Sequence, residues 1–498
     1  SLKNMLIEEG YNFYSETDTE VVPNLISMNY EGDILKAVKK TTDMLEGSYA
    51  LVVMDTQDPD ILVATKRNSP LIVGFGDDEN FLASDFSAII KYTSKVSIFK
   101  NNEFAVVSKN SIVFYDNDLN QIESEIKNID IEDMSSEKNG YPHFMLKEIN
   151  ENVITVRRII DKYLKGHEII FELNLNEEEI KKIKHIHIVA CGTAMHAGLV
   201  GKRAIEKLTR IPVNVEIASE FRYSDPILDK DDLAIFISQS GETADTIACL
   251  ELVKEKGLKF ISIVNVKEST IDHLSENVIY TLAGAEIAVA STKAYVAQSM
   301  ILDLFAIYLA KKLKSCDENE LNKLLEKATE IPNDVQIVLE NDDEYKEYAK
   351  KIYKVHDIFY LGRDLDYYIA MEGCLKLKEI SYIHAEAFPF GEVKHGSIAL
   401  IEKGTPAIAI ATSKKLLDKT ISNIKEIKAR GADVLALTNI KTFPEDVTDK
   451  VIYIPELDEI YAPIVAAIPL QLIAYNVATL KGLDVDKPRN LAKSVTVE

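Results

Sequence analysis

The chain has 498 residues, 46% of them apolar, which allows roughly three globular domains with cores of their own. Acidic residues number 80 against 57 basic ones, and the formal net charge of −23 repels nucleic acid and anionic membrane, so any bound phosphate needs a local seat. The four cysteines, Cys191, Cys249, Cys316 and Cys374, are far apart and form no CxxC or HExxH pattern; neither a disulfide framework, a metal site nor another cofactor is indicated, and a reducing cytoplasm is the expected location.

The chain opens at Ser1 in an amphipathic helix already under way and stopped by Gly10, with no initiator Met and no signal-peptide pattern, and the start reads as a cut end. Between residues 20 and 130 the runs Ser48–Met54, Asp60–Thr65 and Glu103–Ser108 are short, β-branched and divided by Asp, Gly, Asn and Pro, which predicts an antiparallel α+β layer. The acidic stretch Asn128 to Gly140 marks a boundary, with a linker over 131–148. From His187 onward strands alternate with helices: Ile186–Ala190, Leu233–Ile237 and Phe260–Val264 predict a parallel sheet covered on both faces, with ligands at the carboxyl ends of its strands. No uninterrupted apolar run is long enough for a membrane span; Ala294 to Ala310 is broken by Gln298, Ser299 and Asp303.

Ser238-Gln-Ser-Gly-Glu-Thr243 falls where the strand ending at Ile237 hands over to a helix. Unpaired N–H groups and the positive end of the helix dipole at such a junction suit one phosphate, and the lack of GxxxxGK[ST] favours a small phosphorylated metabolite over a nucleotide triphosphate. A Ser/Thr-rich turn that merely caps a helix accounts for the same six residues. The chain also repeats itself. Lys256-Gly257 and the run to Asn265 recur as Arg430-Gly431 and the run to Asn439, while Val278-Ile-Tyr280, Glu286-Ile287 and Gln298 recur as Val451-Ile-Tyr453, Glu459-Ile460 and Gln471 at a displacement one residue shorter. One offset held through strand, turn and helix predicts two copies of one array. In the second copy the loop after Pro406–Ile410 reads Ala411-Thr-Ser413 without Gly-Glu-Thr, so no sugar phosphate is expected there.

Cys191-Gly-Thr193, the Ser238–Thr243 run, Val289-Ala-Ser-Thr-Lys293, the segment Glu372–Glu386, Gly391-Glu-Val-Lys-His-Gly396 and the tail Lys487–Glu498 together resemble the glutamine:fructose-6-phosphate amidotransferase family, the glucosamine-6-phosphate synthases. The likeness spans the chain. It implies a partial N-terminal-nucleophile glutaminase domain over 1–130, then two sugar-isomerase (SIS) domains, each a parallel α/β sandwich, over 149–335 and 336–480, and an active-site tail over 481–498. It implies a transaminase (isomerizing) that makes glucosamine 6-phosphate from fructose 6-phosphate and glutamine-derived ammonia, the first step of hexosamine and UDP-N-acetylglucosamine synthesis and a source of cell-wall precursor.

By the resemblance, Lys493 is the Schiff-base lysine, with burial or a neighbouring cation expected to lower its pKa. Glu379 is the base between C1 and C2, and Lys376 its proton-handling neighbour at i and i+3 on one helix face. His395 is the ring-opening acid/base. Cys191, Gly192, Thr193, Ser238, Gln239, Ser240 and Thr243 match the sugar-phosphate seat, and Val289 and Ser291 the sugar contacts. A homodimer is implied, His395 acting in trans, with the apolar Phe388-Pro-Phe390 as an interface anchor. Asp18, in Ser15-Glu-Thr-Asp-Thr-Glu20, is the relic of a glutamine amino-group binder: the family's nucleophilic Cys, its Asn-Gly oxyanion donors and its carboxylate-holding Arg all precede the point where this sequence starts, and Ser1 does not take the Cys role. Glutamine is therefore a substrate only together with that missing portion. Two other classes fit parts of the pattern, a SIS-type isomerase without amination and a sugar-phosphate-sensing regulatory module. The set Lys493, Glu379 and His395 argues against the sensor, and the Ser15–Glu20 segment against the bare isomerase.

Overall fold

The computed structural model describes residues 2–496 apart from Glu16, Asn68, Pro70, 85–88, Ile90, Lys91 and 129–137; Ser1 and the 131–137 part of the expected linker lie outside the described residues. The chain divides into two compact units, Ser1–Ser136 with Thr496–Glu498, and Glu137–Val495.

In the first unit, strands Tyr49–Asp55, Asp58–Arg67, Phe104–Ser108, Ile112–Tyr115 and Gln121–Ile122 form an antiparallel sheet, and Ile72–Phe75, Asn80–Ala83, Lys95–Ile98 and Lys127–Asn128 a second one. Side chains alternate across the pleat. Ala64, Ala105 and Phe114 thus meet Leu71, Val73 and Phe99 between the sheets, while Val63 and Phe104 face the helices Val21–Asn29 and Ile34–Thr42 through Ile26, Ala37 and Val38. This is the expected antiparallel α+β arrangement. The helix Leu2–Glu8 ends before Gly10, whose φ of 90° suits a residue without a Cβ.

The second unit holds two parallel five-stranded sheets. In one, β1 (Ile186–Ala190), β2 (Val213–Ile217), β3 (Leu233–Ser238), β4 (Lys259–Val264) and β5 (Val278–Tyr280) run in the order β2-β1-β3-β4-β5. In the other, β6 (Asp357–Gly362), β7 (His384–Pro389), β8 (Pro406–Ile410), β9 (Asp433–Thr438) and β10 (Lys450–Tyr453) repeat that order as β7-β6-β8-β9-β10. Every residue of β1 and β3 is buried, as continuous apolar strands covered on both faces must be. The duplication read from the sequence is thus a duplication of fold.

Helices that bear on the site are α1 (Phe144–Asn150), α2 (Gly192–Thr209), α3 (Ala244–Glu255), α4 (Lys293–Leu313), α5 (Glu318–Ala328), α6 (Ile331–Glu340), α7 (Leu365–Ser381) and α8 (Ala462–Leu480). One continuous core takes side chains from both sheets and from α2, α4, α7 and α8, so the two copies fold around shared helices. The repeated glutamines Gln298 and Gln471 lie buried in α4 and α8. Lys293–Leu313 and Glu459–Leu480 are each long and apolar enough to cross a membrane by length and composition, the second despite having passed unnoticed in the sequence, and both are wholly buried in this core.

Candidate active site

The order β2-β1-β3 makes the chain leave β1 and β3 in opposite directions, which opens a crevice at the carboxyl ends of these two strands. Cys191, Gly192 and Thr193 form one side of it. Gly192, at φ 54°, takes the left-handed turn that carries β1 into α2. Burial, and after it Asp245, push the Cys191 thiol up, so it offers no thiolate.

The loop after β3 forms the other side. Ser238 Oγ accepts from Gly241 N at 3.0 Å and shares a hydrogen bond with Thr243 Oγ1 at 2.9 Å, and Ser240 Oγ accepts from Glu242 N at 3.1 Å. The carbonyl of Gln239 accepts from Asn265 N, and that of Val495, in the tail, accepts from Ala244 N at 3.1 Å on the first turn of α3. The N–H groups of Gly241, Glu242 and Ala244, expected to be unpaired, therefore bond to the loop's own hydroxyls and to the tail. These are neutral bonds, which the charge-assisted bonds of a phosphate exceed in strength. Gly241 is required here: its φ is 68°, and a Cβ would fall 2.0 Å from Ser269 Oγ.

Facing Thr193 is α7, whose residues 372, 376 and 379 share one side at helical spacing. Lys376, wholly buried, donates from Nζ to Thr193 Oγ1 at 3.0 Å and pairs with Glu379 at 2.6 Å and Glu372 at 3.6 Å. Burial alone would push the Lys376 ammonium down, but Glu379 and Glu372 more than offset it and hold it above its ordinary range. Glu372 also accepts from Thr193 Oγ1 at 3.2 Å and bonds His196 Nδ1 at 2.8 Å.

The third wall is the loop from Thr281 to Thr292. Two buried carboxylates brace it: Glu148 of α1 accepts from Ile287 N and Ala288 N, and Glu286 accepts from Thr292 N at 2.8 Å and Ala294 N at 3.1 Å. The tail docks on this brace. Lys493 Nζ donates to Glu286 Oε2 at 2.6 Å, the Ala288 carbonyl at 2.9 Å and Ser291 Oγ at 3.4 Å, while Val289 N donates to the Asp486 carbonyl at 2.9 Å. Asp486 accepts in turn from Phe144 N and Met145 N at the start of α1, and Arg489 lies over the Tyr382 ring. Burial would raise the Glu286 carboxyl, yet the Lys493 cation and the hydrogen bonds hold it below the ordinary range; burial first and then Glu286 push Glu148 up to about 8. Of the two influences expected from the sequence, burial or a neighbouring cation, the cation is absent from the partners of Lys493 and a carboxylate, Glu286, stands there.

The structure thus brings Thr193 together with Lys376 and Glu379, and Lys493 together with Ser291 and the Val289 loop. His395 is not among them. It is exposed on a 3-10 turn, Val393–His395, and makes no side-chain hydrogen bond to any of these groups. Phe390, expected at an interface, is 1% exposed and anchors this turn in its own unit's core. Asp18 lies in the first unit, exposed, on the 3-10 turn Asp18–Glu20; the Glu20 carboxylate closes that loop by accepting from Tyr14 N, Ser15 N and Ser15 Oγ, each at 2.7 Å. Glu372, His196, Glu286 and Glu148 are site residues that the sequence reading missed. Glu372 was legible as the residue one turn before Lys376, and Glu286 as a member of the repeat.

A glutamine amidotransferase domain model matches residues 1–91, and a SIS domain model matches residues 179–308 and 351–481. The chain is 49% identical over 500 residues to glutamine–fructose-6-phosphate aminotransferase (isomerizing) of Caldanaerobacter subterraneus, covering all of this chain and 82% of that one, and 42% identical over 499 residues to the enzyme of the same name from Thermus thermophilus, again with 82% of it covered. Among solved structures, the C-terminal domain of glucosamine-fructose-6-phosphate aminotransferase from Francisella tularensis superposes with a TM-score of 0.68 at 41% identity, over 71% of this chain and all of that one. A glucosamine-6-phosphate deaminase from Thermotoga maritima, at 22% identity and a TM-score of 0.54 over 71% of this chain and 99% of that one, shares the fold.

Proposed function

We proceed from the fact that this chain belongs to the glutamine–fructose-6-phosphate aminotransferase (isomerizing) family, and we propose that its second unit converts fructose 6-phosphate and ammonia into glucosamine 6-phosphate. The observation that carries this reading is the buried Lys376 held between Glu372 and Glu379 and bonded to Thr193 at the edge of the crevice. Ser238, Gln239, Ser240 and Thr243 seat the phosphate at the start of α3, with Cys191, Gly192 and Thr193 opposite and Val289 and Ser291 against the sugar. His395 opens the ring. Lys493 gives up its proton to solvent on leaving Glu286, adds its free amine to the C2 carbonyl, and the adduct loses water to form an imine; ammonia then adds at C2 and the lysine leaves as an amine. Glu379 removes a proton from C1 and returns it to C2, with Lys376 moving the accompanying proton.

Purified protein of these 498 residues is expected to interconvert fructose 6-phosphate and glucose 6-phosphate, which needs this unit alone. Calorimetry should show fructose 6-phosphate binding weakened at least tenfold by Ser240→Ala with Thr243→Ala; an unchanged affinity refutes the phosphate placement. No glutamate should be released from glutamine, because the first cysteine is Cys191 and the amidotransferase-like stretch 1–91 holds no thiol. Glutamate release would overturn this expectation.

The exposed position of His395, with no hydrogen bond to Lys376 or Lys493, supports a site completed by a second chain. Mixing His395→Ala with Lys493→Ala after subunit exchange should restore activity towards half of the wild type per mixed dimer, since one of its two sites then has both residues. A mixture that stays inactive despite verified exchange assigns both residues to one chain's site.

A further inference from the structure

Because the fold is duplicated, the crevice of the first sheet has a counterpart over the second, and the two are built from equivalent parts. A cavity of about 630 Å³ lies there, lined by Thr412 after β8, Asn439 after β9 and Glu456 to Glu459 after β10. These positions answer to Gln239, Asn265 and the Thr281–Thr292 loop of the first copy. Its opposing wall comes from the other copy: Lys207 at the end of α2 reaches it, as Glu379 near the end of α7 borders the first crevice. Its cover is the segment after α4, with Lys327 of α5, Glu330, and Ile331 and Asp334 of α6, as the tail after α8 covers the first.

Most of the charge in this cavity is already paired. Lys207 bonds Glu459 at 3.2 Å, Lys327 bonds Asp458 at 3.4 Å and Lys414 bonds Glu456. What remains is one cation, Lys415, which makes no ion pair among the described residues, and two carboxylates, Glu330 and Asp334, set one helical turn apart without a cationic partner among them. Burial and then the like charge of Glu330 push the Asp334 carboxyl up to about 6, the response of an acid held where a cation would relieve it. Asn439, 3% exposed, also lines the cavity, and its buried side-chain carbonyl has no partner among the described residues. Its counterpart in the first copy, Asn265, is satisfied by Thr281 Oγ1 and Ala283 N, each at 2.9 Å. A buried acceptor left alone is costly, so a donor is favoured at this spot.

We infer that the crevice of the second sheet is a separate, non-catalytic binding site for a small zwitterion, whose ammonium meets Glu330 and Asp334, whose anionic group meets Lys415, and whose remaining N–H or O–H donates to Asn439. Catalysis is excluded because the positions of Glu379 and of the Gly-Glu-Thr loop are held here by Lys207 and by Lys414-Lys415-Leu416. Aminated sugar phosphates and free amino acids share this chemistry. The first of these is the product class of the proposed reaction, and to that extent the choice of probe rests on that reading.

The test is calorimetric titration of the whole protein with glucosamine 6-phosphate, glutamine and glutamate, with fructose 6-phosphate as the probe lacking an ammonium. Expected is a binding event for at least one ammonium-bearing probe that survives Ser240→Ala with Thr243→Ala and is weakened at least tenfold by Glu330→Gln with Asp334→Asn, whereas fructose 6-phosphate responds in the opposite way. Glucosamine 6-phosphate alone binding identifies the sugar source, and glutamine or glutamate alone the amino-acid source. If no ammonium-bearing probe gives an event surviving the first pair of substitutions, or if that event is indifferent to the second pair, the site does not exist as described. A failure of fructose 6-phosphate to respond to the first pair would instead count against the proposed catalytic site.

Discussion

Replacing Lys376 by Met is expected to destabilise the second unit by about 3–5 kcal/mol and to remove its sugar chemistry, because breaking a buried ion pair strands its partner charge. Lys376 has no exposed surface, and it is the cation that lets Glu372 and Glu379 share one face of α7. Met conserves most of the volume, so the loss is electrostatic and not a cavity effect. Adding Glu379→Gln to the variant removes the stranded charge nearest the site and should recover a large part of the stability and none of the activity. Denaturation midpoints of the two variants, read beside isomerase rates, decide the matter. Equal midpoints for wild type and Lys376→Met would show that the array is not the electrostatic unit described.

Lys493→Ala is expected to lower turnover by about 10²- to 10⁴-fold, since it removes both the amine proposed to form the imine and the contact that seats the tail. Borohydride reduction of wild type in the presence of fructose 6-phosphate should label the peptide containing Lys493; label elsewhere rejects the assignment. A pH effect accompanies this. Glu148, raised to about 8 in the folded state, binds its proton more tightly than in the unfolded chain, so its contribution to stability is full below the ordinary carboxylate range and is lost as pH rises through about 8. The groups facing it are Glu286, Lys493 and Lys293. Without Lys493, nothing comparable holds Glu286 down, and the loss of stability with rising pH should steepen. Glu148→Gln should flatten it.

What could be read in advance was whatever chain-local physics records. Ile186–Ala190 and Leu233–Ile237 are continuous apolar runs, and only strands covered on both faces look like that over so few residues. The spacing of Lys376 and Glu379 sufficed to put them side by side, and the constant offset from Gly257 to Gly431 exposed the duplication. The brace under Lys493 was invisible, because Glu148, Glu286, Asp486 and Lys493 come from three distant stretches and no period links them. Phe390 misled for a similar reason: an aromatic beside an exposed loop reads alike whether it caps a core or awaits a partner. Helix α8 escaped notice as one buried span because Gln471, Tyr475 and Asn476 punctuate its apolar sequence, yet Gln471 donates to Thr292 O within the core and Asn476 to the half-buried Asp342.

The exchange of helices across the duplication bears on how such a chain arose. Thr193 and His196 of α2 meet Glu372 and Lys376 of α7, and towards the other end of the same pair Arg203 of α2 grips Asp364 at 2.6 Å beside the second crevice. Each copy supplies the strand ends of its own crevice and the opposing helix of the other's. A single ancestral copy would have had strand ends facing water, with half of each recognition surface missing. This reciprocal exchange between α2 and α7 is the arrangement that two copies of one unit make when they pair symmetrically. Within one chain the two crevices are free to differ, the first lined by Lys376, Glu379 and Lys493 and the second by Lys207, Lys415 and Asp334.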